Sequence, residues 1–423
     1  MGLRAAIRTI RQLLREERGN ALALTALAMP LLIGAAGLAV DTISWTYSKR
    51  DLQGAVDAAA VAGVYGLIQT GDMEAAVDRS LASKPELDRR RAVTAEQSPE
   101  GYENDPFAVQ VRVTSAARLF FSSMFLSQPP VISAKATATV VETGEFCAFA
   151  IGSGDETGIT IKPGANVEMN CGIATNSSSR EGIRADASAT LSAKRLASFG
   201  GIVGEGIKSS RVRRFALRQK DPLEDTEPPL IPNTGCPNVT VNPDAAALNN
   251  GRLVLEPGCY GNMVVNGPVF LLDGEYILRR GSLVVGPTAE LSCKACTIFL
   301  TSEDPSGDPG SIGKVQIDHH AKVKLAAPTQ GPNAGILIYQ DRHAGGDFDG
   351  VENVIGGNSF SELKGLVYLP AEVLRIDAEN NPDIQCARFV GKRLIFQGRV
   401  IIASGCSSAN IMNFKGTEVK LVG

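Results

Sequence analysis

The chain has 423 residues, 44 of them glycine and only 5% aromatic, with a formal net charge of −3. That length leaves room for two or three domains, and the near-neutral balance gives no reason to expect a nucleic-acid partner. Many glycines with few aromatics favour short strands and turns over long helices.

The leader, residues 1–20, carries Arg4, Arg8, Arg11, Arg15 and Arg18 against Glu16 and Glu17. The stretch that follows, Ala21 to Val40, holds no charge and a single hydroxyl, Thr25. A helix of that length spans roughly 30 Å, the thickness of a bilayer's hydrocarbon core. Pro30 sits mid-span, where a kink is tolerated if a neighbour satisfies the freed carbonyl. The arginine excess puts the leader in the cytoplasm and roughly 380 residues outside. Trp45 and Tyr47 fall where interfacial aromatics belong. A retained anchor is the leading reading. A cleaved signal peptide has a shorter apolar core, yet would export the same mass. A buried soluble helix rarely holds so long a chargeless run.

From Asp41 to Thr70 the helical pattern continues. Leu52, Val56, Ala59, Gly63 and Leu67 recur at three to four residues and form one apolar stripe opposite Lys49, Arg50, Gln53 and Asp57. Its many small residues permit close approach, either by a partner helix or filament neighbour or by the protein's own small domain. A second helix is predicted over 72–84, stopped by Pro85. Residues 86–106 read as loop, 107–114 as an alternating strand, 116–126 as a short helix and 131–142 as a second alternating strand. Together these give a small α+β membrane-proximal domain over 21–142.

RGNALALTALAMPLLIGAAGLAVD, then LQGAVDAAAVAG at Leu52 to Gly63, then a strand ending AKATATV, resemble the TadE/TadG-like proteins of Flp (Tad) pilus assembly. The resemblance covers the first third of the chain. It implies an inner-membrane, pilin-like component that meets other pilin-like or pilus-assembly subunits through its N-terminal helix. Processed pilin-like members are cut after a glycine and carry Glu five residues on. Here the fifth residue after Gly19 is Leu24, so the expectation is an unprocessed, TadG-like chain.

Residues 143–423 change character. Short apolar segments such as Leu253–Leu255, Val269–Leu272, Leu283–Val285 and Thr297–Leu300 alternate with Gly, Pro and Asn. They predict an all-β domain, a right-handed parallel β-helix with rungs of about twenty residues being favoured and a sandwich the alternative. Residues 218–243 hold six prolines and read as extended chain, either an excursion on one β unit or a boundary between two.

All eight cysteines lie in this exported part. They fall as sequential neighbours, Cys147 with Cys171, Cys236 with Cys259, Cys293 with Cys296 and Cys386 with Cys406, and those four disulfides are the expectation. For Cys293 and Cys296 the CxxC spacing also fits a redox or metal motif, but the flanks are strand-like and no second cysteine pair is close. Asp186 to Thr190, DASAT, mimics a metal-adhesion motif but follows polar sequence, so a turn and strand is expected. If Asp318, His319 and His320 lie on a strand, the two histidines face opposite sides and cannot share a metal. Asp341, Asp347 and Asp349 read as an acidic loop.

No catalytic, cofactor or metal site is expected. The predicted function is a non-catalytic, single-pass inner-membrane component of a Tad/Flp pilus system, acting as scaffold or adhesive head, with a surface glycan as a further partner of the β domain. The alternative is an envelope-anchored β-helix protein that binds or processes carbohydrate.

Overall fold

The computed structural model describes residues 17–83, 91–231, 235–243, 252–345, 352–358, 361–378, 383–402 and 414–423. The chain divides into two compact units, Met1–Val141 with Val419–Gly423, and Glu142–Glu418.

The first unit opens with α1, Glu17–Gln69, which runs through Pro30 without ending. Its 53 residues make a rod about 80 Å long. Gly71, at φ +71°, turns the chain, and the Asp72 carboxylate caps α2, Met73–Ala82, by accepting the Ala75 N–H at 2.9 Å. Three antiparallel strands follow: β1, Arg91–Gln97; β2, Val109–Ala116; and β3, Val131–Ala150, whose first part belongs here. In register, Val111 of β2 faces Ala95 of β1 and Ala136 of β3. Alternation puts Val109, Val111, Val113, Ala134, Ala136 and Ala138 on one face, packed on Leu52, Val56, Ala59, Ala60 and Val64 of α1 and Val77 and Leu81 of α2. The alanines on both surfaces let helix and sheet approach closely.

Two sequence expectations fail here. Residues 91–97 are a strand rather than loop; the partner β2 supplies the hydrogen bonds that its polar sequence could not advertise. Residues 116–126 are not a helix; only Ser122–Met124 form a single 3₁₀ turn. The run holds six large apolar residues with no helical face to hide them.

The second unit is built from parallel strands, each paired with a strand one to three further along the chain over most of its length. One such series comprises Gly258–Tyr260, Gly274–Arg279, Cys296–Thr301, Ile336–Gln340, part of Glu362–Ala378, part of Asp383–Ile402, the end of β3, Asn166–Thr175, Thr190–Ser198 and Val212–Arg214. At the usual strand spacing it rises about 43 Å. A neighbouring series runs in parallel from Val239–Val241 to Ile202–Val203. The residue step from one paired strand to the next in that series is 24, then 20, 32, 38, 21 and 20. A repeat of about twenty therefore holds at both ends, while the two middle steps carry inserted loops.

Chain order and spatial order differ. Residues 146–214 start mid-stack and climb to one end. Residues 239–396 start at the other end and climb back until Phe389–Gly391 pairs with Ala148–Ala150. The Pro-rich stretch joins the two ends. Residues 232–234 within it lie outside the described residues, and the residues before them lie along this stack. Its contacts march along the stack: Ala216 N–H to Ser198 O, Gln219 N–H to Asn176 Oδ1, Asp221 to the Tyr368 hydroxyl, Leu223 O to Arg342, and Thr226 O to the Tyr339 hydroxyl.

Inside the stack Ile298, Leu300, Ile338, Val367, Phe389 and Phe396 form part of the apolar core. Alternate residues of the same strands, Phe149, Phe299, Tyr339, Tyr368 and Val390, point outward and are covered, with Ala216 and Leu223 of the strap in their cluster. Strands buried on both faces explain the near-continuous apolar runs in the sequence.

Candidate functional site

Among the described residues, most of the N-terminal half of α1 is exposed. Leu24, Leu27, Met29, Leu31, Leu32 and Ile33 are all exposed, Leu31 at 76%. Within Leu24–Gln69 lies the one stretch, among the described residues, that is long and apolar enough to cross a bilayer. α1 has the length and composition of a membrane anchor.

The C-terminal half is different. Leu52, Val56 and Ala59 are fully buried against β2, β3 and α2, and Leu67 packs partly buried on the same core. A side chain at Gly63 would meet Val109 Cγ1 at 2.9 Å and Val77 Cγ2 at 3.0 Å. The stripe that the sequence offers to either a partner or the protein's own domain is therefore occupied by the latter. The outward face carries Tyr47, Asp51, Gly54 and Ala58, all exposed, and nothing lies within 4 Å of where a Gly54 side chain would stand.

Where the two halves meet, Gly37, Asp41 and Trp45 stand at four-residue spacing on one helix face. Asp41 is fully buried, and its Oδ2 accepts the N–H groups of Phe121 at 3.1 Å and Ser122 at 2.6 Å and the Ser122 hydroxyl. The Trp45 indole N–H donates to Arg118 O at 2.9 Å. The sequence signal for this segment is FFSSMFL at 120–126, too apolar for an ordinary exposed loop and too short for an amphipathic helix.

Residues 19–71 match a family model described as "Putative Flp pilus-assembly TadE/G-like". This segment is TadE/G-like. Comparison with curated proteins and with solved structures returns no match. The TadE/G-like segment coincides with α1 and the turn after it, and it contains both the bare apolar stretch and the buried stripe. The match takes in this N-terminal segment alone, and the second unit lies beyond it.

In the second unit the structure joins Cys147 to Cys171, Cys236 to Cys259 and Cys293 to Cys296. Cys386 is also disulfide-bonded, and Cys406 lies outside the described residues. Asp186 opens a turn, accepting the Ala189 N–H on its carbonyl and the Arg184 guanidinium on its carboxylate, and Thr190 begins the next strand.

Asp318, His319 and His320 correct an expectation. They occupy a turn between Val315–Ile317 and Lys322–Ala326 rather than a strand, so the alternation that would separate the rings does not apply. The imidazole centroids lie 3.9 Å apart, and one ligand atom from each of the three residues falls within 4.8 Å of the others. Asp341 is buried, accepting the Thr301 hydroxyl and the His343 N–H. Asp347 and Asp349 lie outside the described residues. Buried Glu372 accepts from Gln340 at 2.8 Å and Asn353 at 2.6 Å, with Lys314 Nζ at 3.7 Å, an internal network that ties adjacent strands. The wholly buried Arg388 guanidinium, 4.0 Å from Glu145, has its pKa lowered by burial.

Proposed function

We propose that this chain is a non-catalytic, single-pass inner-membrane component of a Tad/Flp pilus-assembly system, of the TadG-like branch. Its leader is cytoplasmic and its second unit is exported as a scaffold or adhesive head. The observation that carries the reading is the coincidence of the TadE/G-like match at 19–71 with a helix whose apolar stretch from Leu24 to Ile33 is exposed among the described residues. The arginine-rich leader supports the orientation, and cysteines confined to the second unit and paired there support export. We read the second unit as a right-handed parallel β-helix, on the strength of its parallel series and residue steps near twenty.

Assembly through α1 must use its outward face, since the opposite one is filled. Gly54→Leu and Ala58→Leu add bulk into open space, so both variants fold and insert. Detergent pull-down from membranes compares their partners with those of the unchanged chain. Loss of pilus-assembly subunits supports the reading; an unchanged partner set overturns the use of this face. Gly63→Leu is no substitute, because it pushes into the unit's own core. Protease added to intact spheroplasts tests orientation: digestion of the second unit is expected, and its survival would remove export.

A further inference from the structure

We infer that the loop 118–126 is a second membrane contact, a wedge that enters the leaflet on the C-terminal side of the anchor and takes lipid as its partner. This rests on the anchoring reading above.

The loop descends α1. Arg118 is held at Trp45, Ser122 at Asp41, and Phe121 lies on Gly37 so closely that a side chain there would fall 2.7 Å from Phe121 Cβ. From Trp45 to Gly37 is a drop of about 12 Å along the helix. Gly37 lies three residues inside the apolar stretch that ends at Val40, about 5 Å below its edge. Interfacial segments seat their apolar faces at comparable depth.

The chemistry fits that place. No charged residue occurs from Leu119 to Ala134. Met124 is 83% exposed and Phe125 67%, with Phe120 and Leu126 also exposed, so the loop directs large apolar side chains away from the protein. Asp41, the acid that the loop contacts, is removed from the surface by the three donors on Oδ2. Exposed Arg118 and half-buried Trp45 mark the upper boundary, the combination that belongs at headgroup level. The patch is continuous with the bare face of α1, which makes lipid the occupant rather than a separate protein.

The full chain in phosphatidylcholine proteoliposomes tests this. Trp45 is the only tryptophan, so two single-tryptophan chains are made in a Trp45→Phe background, one with Leu31→Trp in the span and one with Phe125→Trp in the loop. With bromine-labelled acyl chains, emission from both is expected to be quenched, the span by deep labels and the loop by shallow ones. Quenching of the span reporter alone, with the loop reporter open to aqueous acrylamide, overturns the wedge and leaves the anchor standing. Loss of quenching at both positions overturns the anchor itself. A loop reporter shielded from acrylamide but untouched by bromolipid means a protein covers it, which also overturns the proposal. The unchanged chain gives a check free of substitutions: under chloramine-T, Met124 is expected to be protected alongside Met29 in the span. Oxidation of Met124 at the rate of free methionine, with Met29 protected, overturns the wedge.

Discussion

Both units make more apolar surface than their regular elements can cover, and they deal with it in opposite ways. The second unit covers its own: the outward aromatics Phe299, Tyr339 and Tyr368 lie beneath a Pro-rich strap whose polar groups answer theirs. The first unit leaves the N-terminal half of α1 bare, and adds an apolar loop beside it. On the anchoring reading proposed above, that second place has lipid as its solvent. The comparison thus separates stability that is internal from stability that comes from lipid.

The largest expected effect breaks the lipid side. Leu31→Arg with Leu32→Arg places two guanidinium groups near the middle of the span, at roughly 3 kcal/mol each by insertion scales. Carbonate extraction is expected to move the double variant from the membrane pellet to the supernatant or to degradation products, while melting of the second unit stays unchanged. Retention in the pellet would show that the span is not seated as the exposed leucines require.

Next comes the internal side, through the disulfides. The Cys236–Cys259 bridge closes a loop with a sequence separation of 23, which loop-closure entropy values at about 3.4 kcal/mol. Cys293–Cys296, with a separation of 3, is worth about 1.9 kcal/mol on the same account. Replacing each pair by serine and following denaturation should rank the two in that order. A reversed ranking would place the stabilisation in native packing rather than in chain entropy.

The same contrast explains what was legible beforehand. α1 and α2 follow from local periodicity, and the alternation of Val109, Val111 and Val113 announces β2 because each valine carries its own evidence of a buried face. The stack could be suspected from strand spacing, but not its order. Residues 389–391 meet 148–150 only because the strap lets the chain begin mid-stack, and no local signal encodes a pairing some 240 residues apart. Arg91–Gln97 was missed because its strand character comes from β2. The segment 116–126 reads as a helix in the sequence, but its large apolar residues share no helical face and most of them face outward. Asp318 to His320 were misjudged because a turn breaks the alternation that a strand imposes.

A smaller effect tests whether the strap is a cover or a mere connection. Asp221 accepts from the buried Tyr368 hydroxyl at 2.7 Å and from Arg342 at 3.3 Å. Asp221→Ala leaves a buried hydroxyl and a half-buried guanidinium short of a partner, at about 1–3 kcal/mol. Hydrogen exchange is expected to speed up over 216–226 before the strands beneath it. Equal acceleration in strap and strands would make the strap part of one cooperative unit rather than a separable lid.

The smallest effect has a pH signature. Burial pushes the Tyr339 phenol up to about 12, while its hydroxyl donates to Thr226 O at 2.7 Å. Burial, then the bond to Asp221, raises Tyr368 as well. A phenol raised in the folded state keeps its contribution below the ordinary value near 10, and loses it as pH climbs from there toward the folded value, because the unfolded chain then releases the proton more readily. Stability should therefore be flat in this respect up to about pH 10 and fall from about 10 to about 12. Tyr339→Phe costs about 0.5–1.5 kcal/mol at neutral pH through the lost hydrogen bond. It should also make the alkaline decline shallower by about one proton's worth of slope, with Tyr368 supplying part of what remains. An unchanged slope would mean that water reaches the Tyr339 ring, and that the strap does not seal the face it crosses.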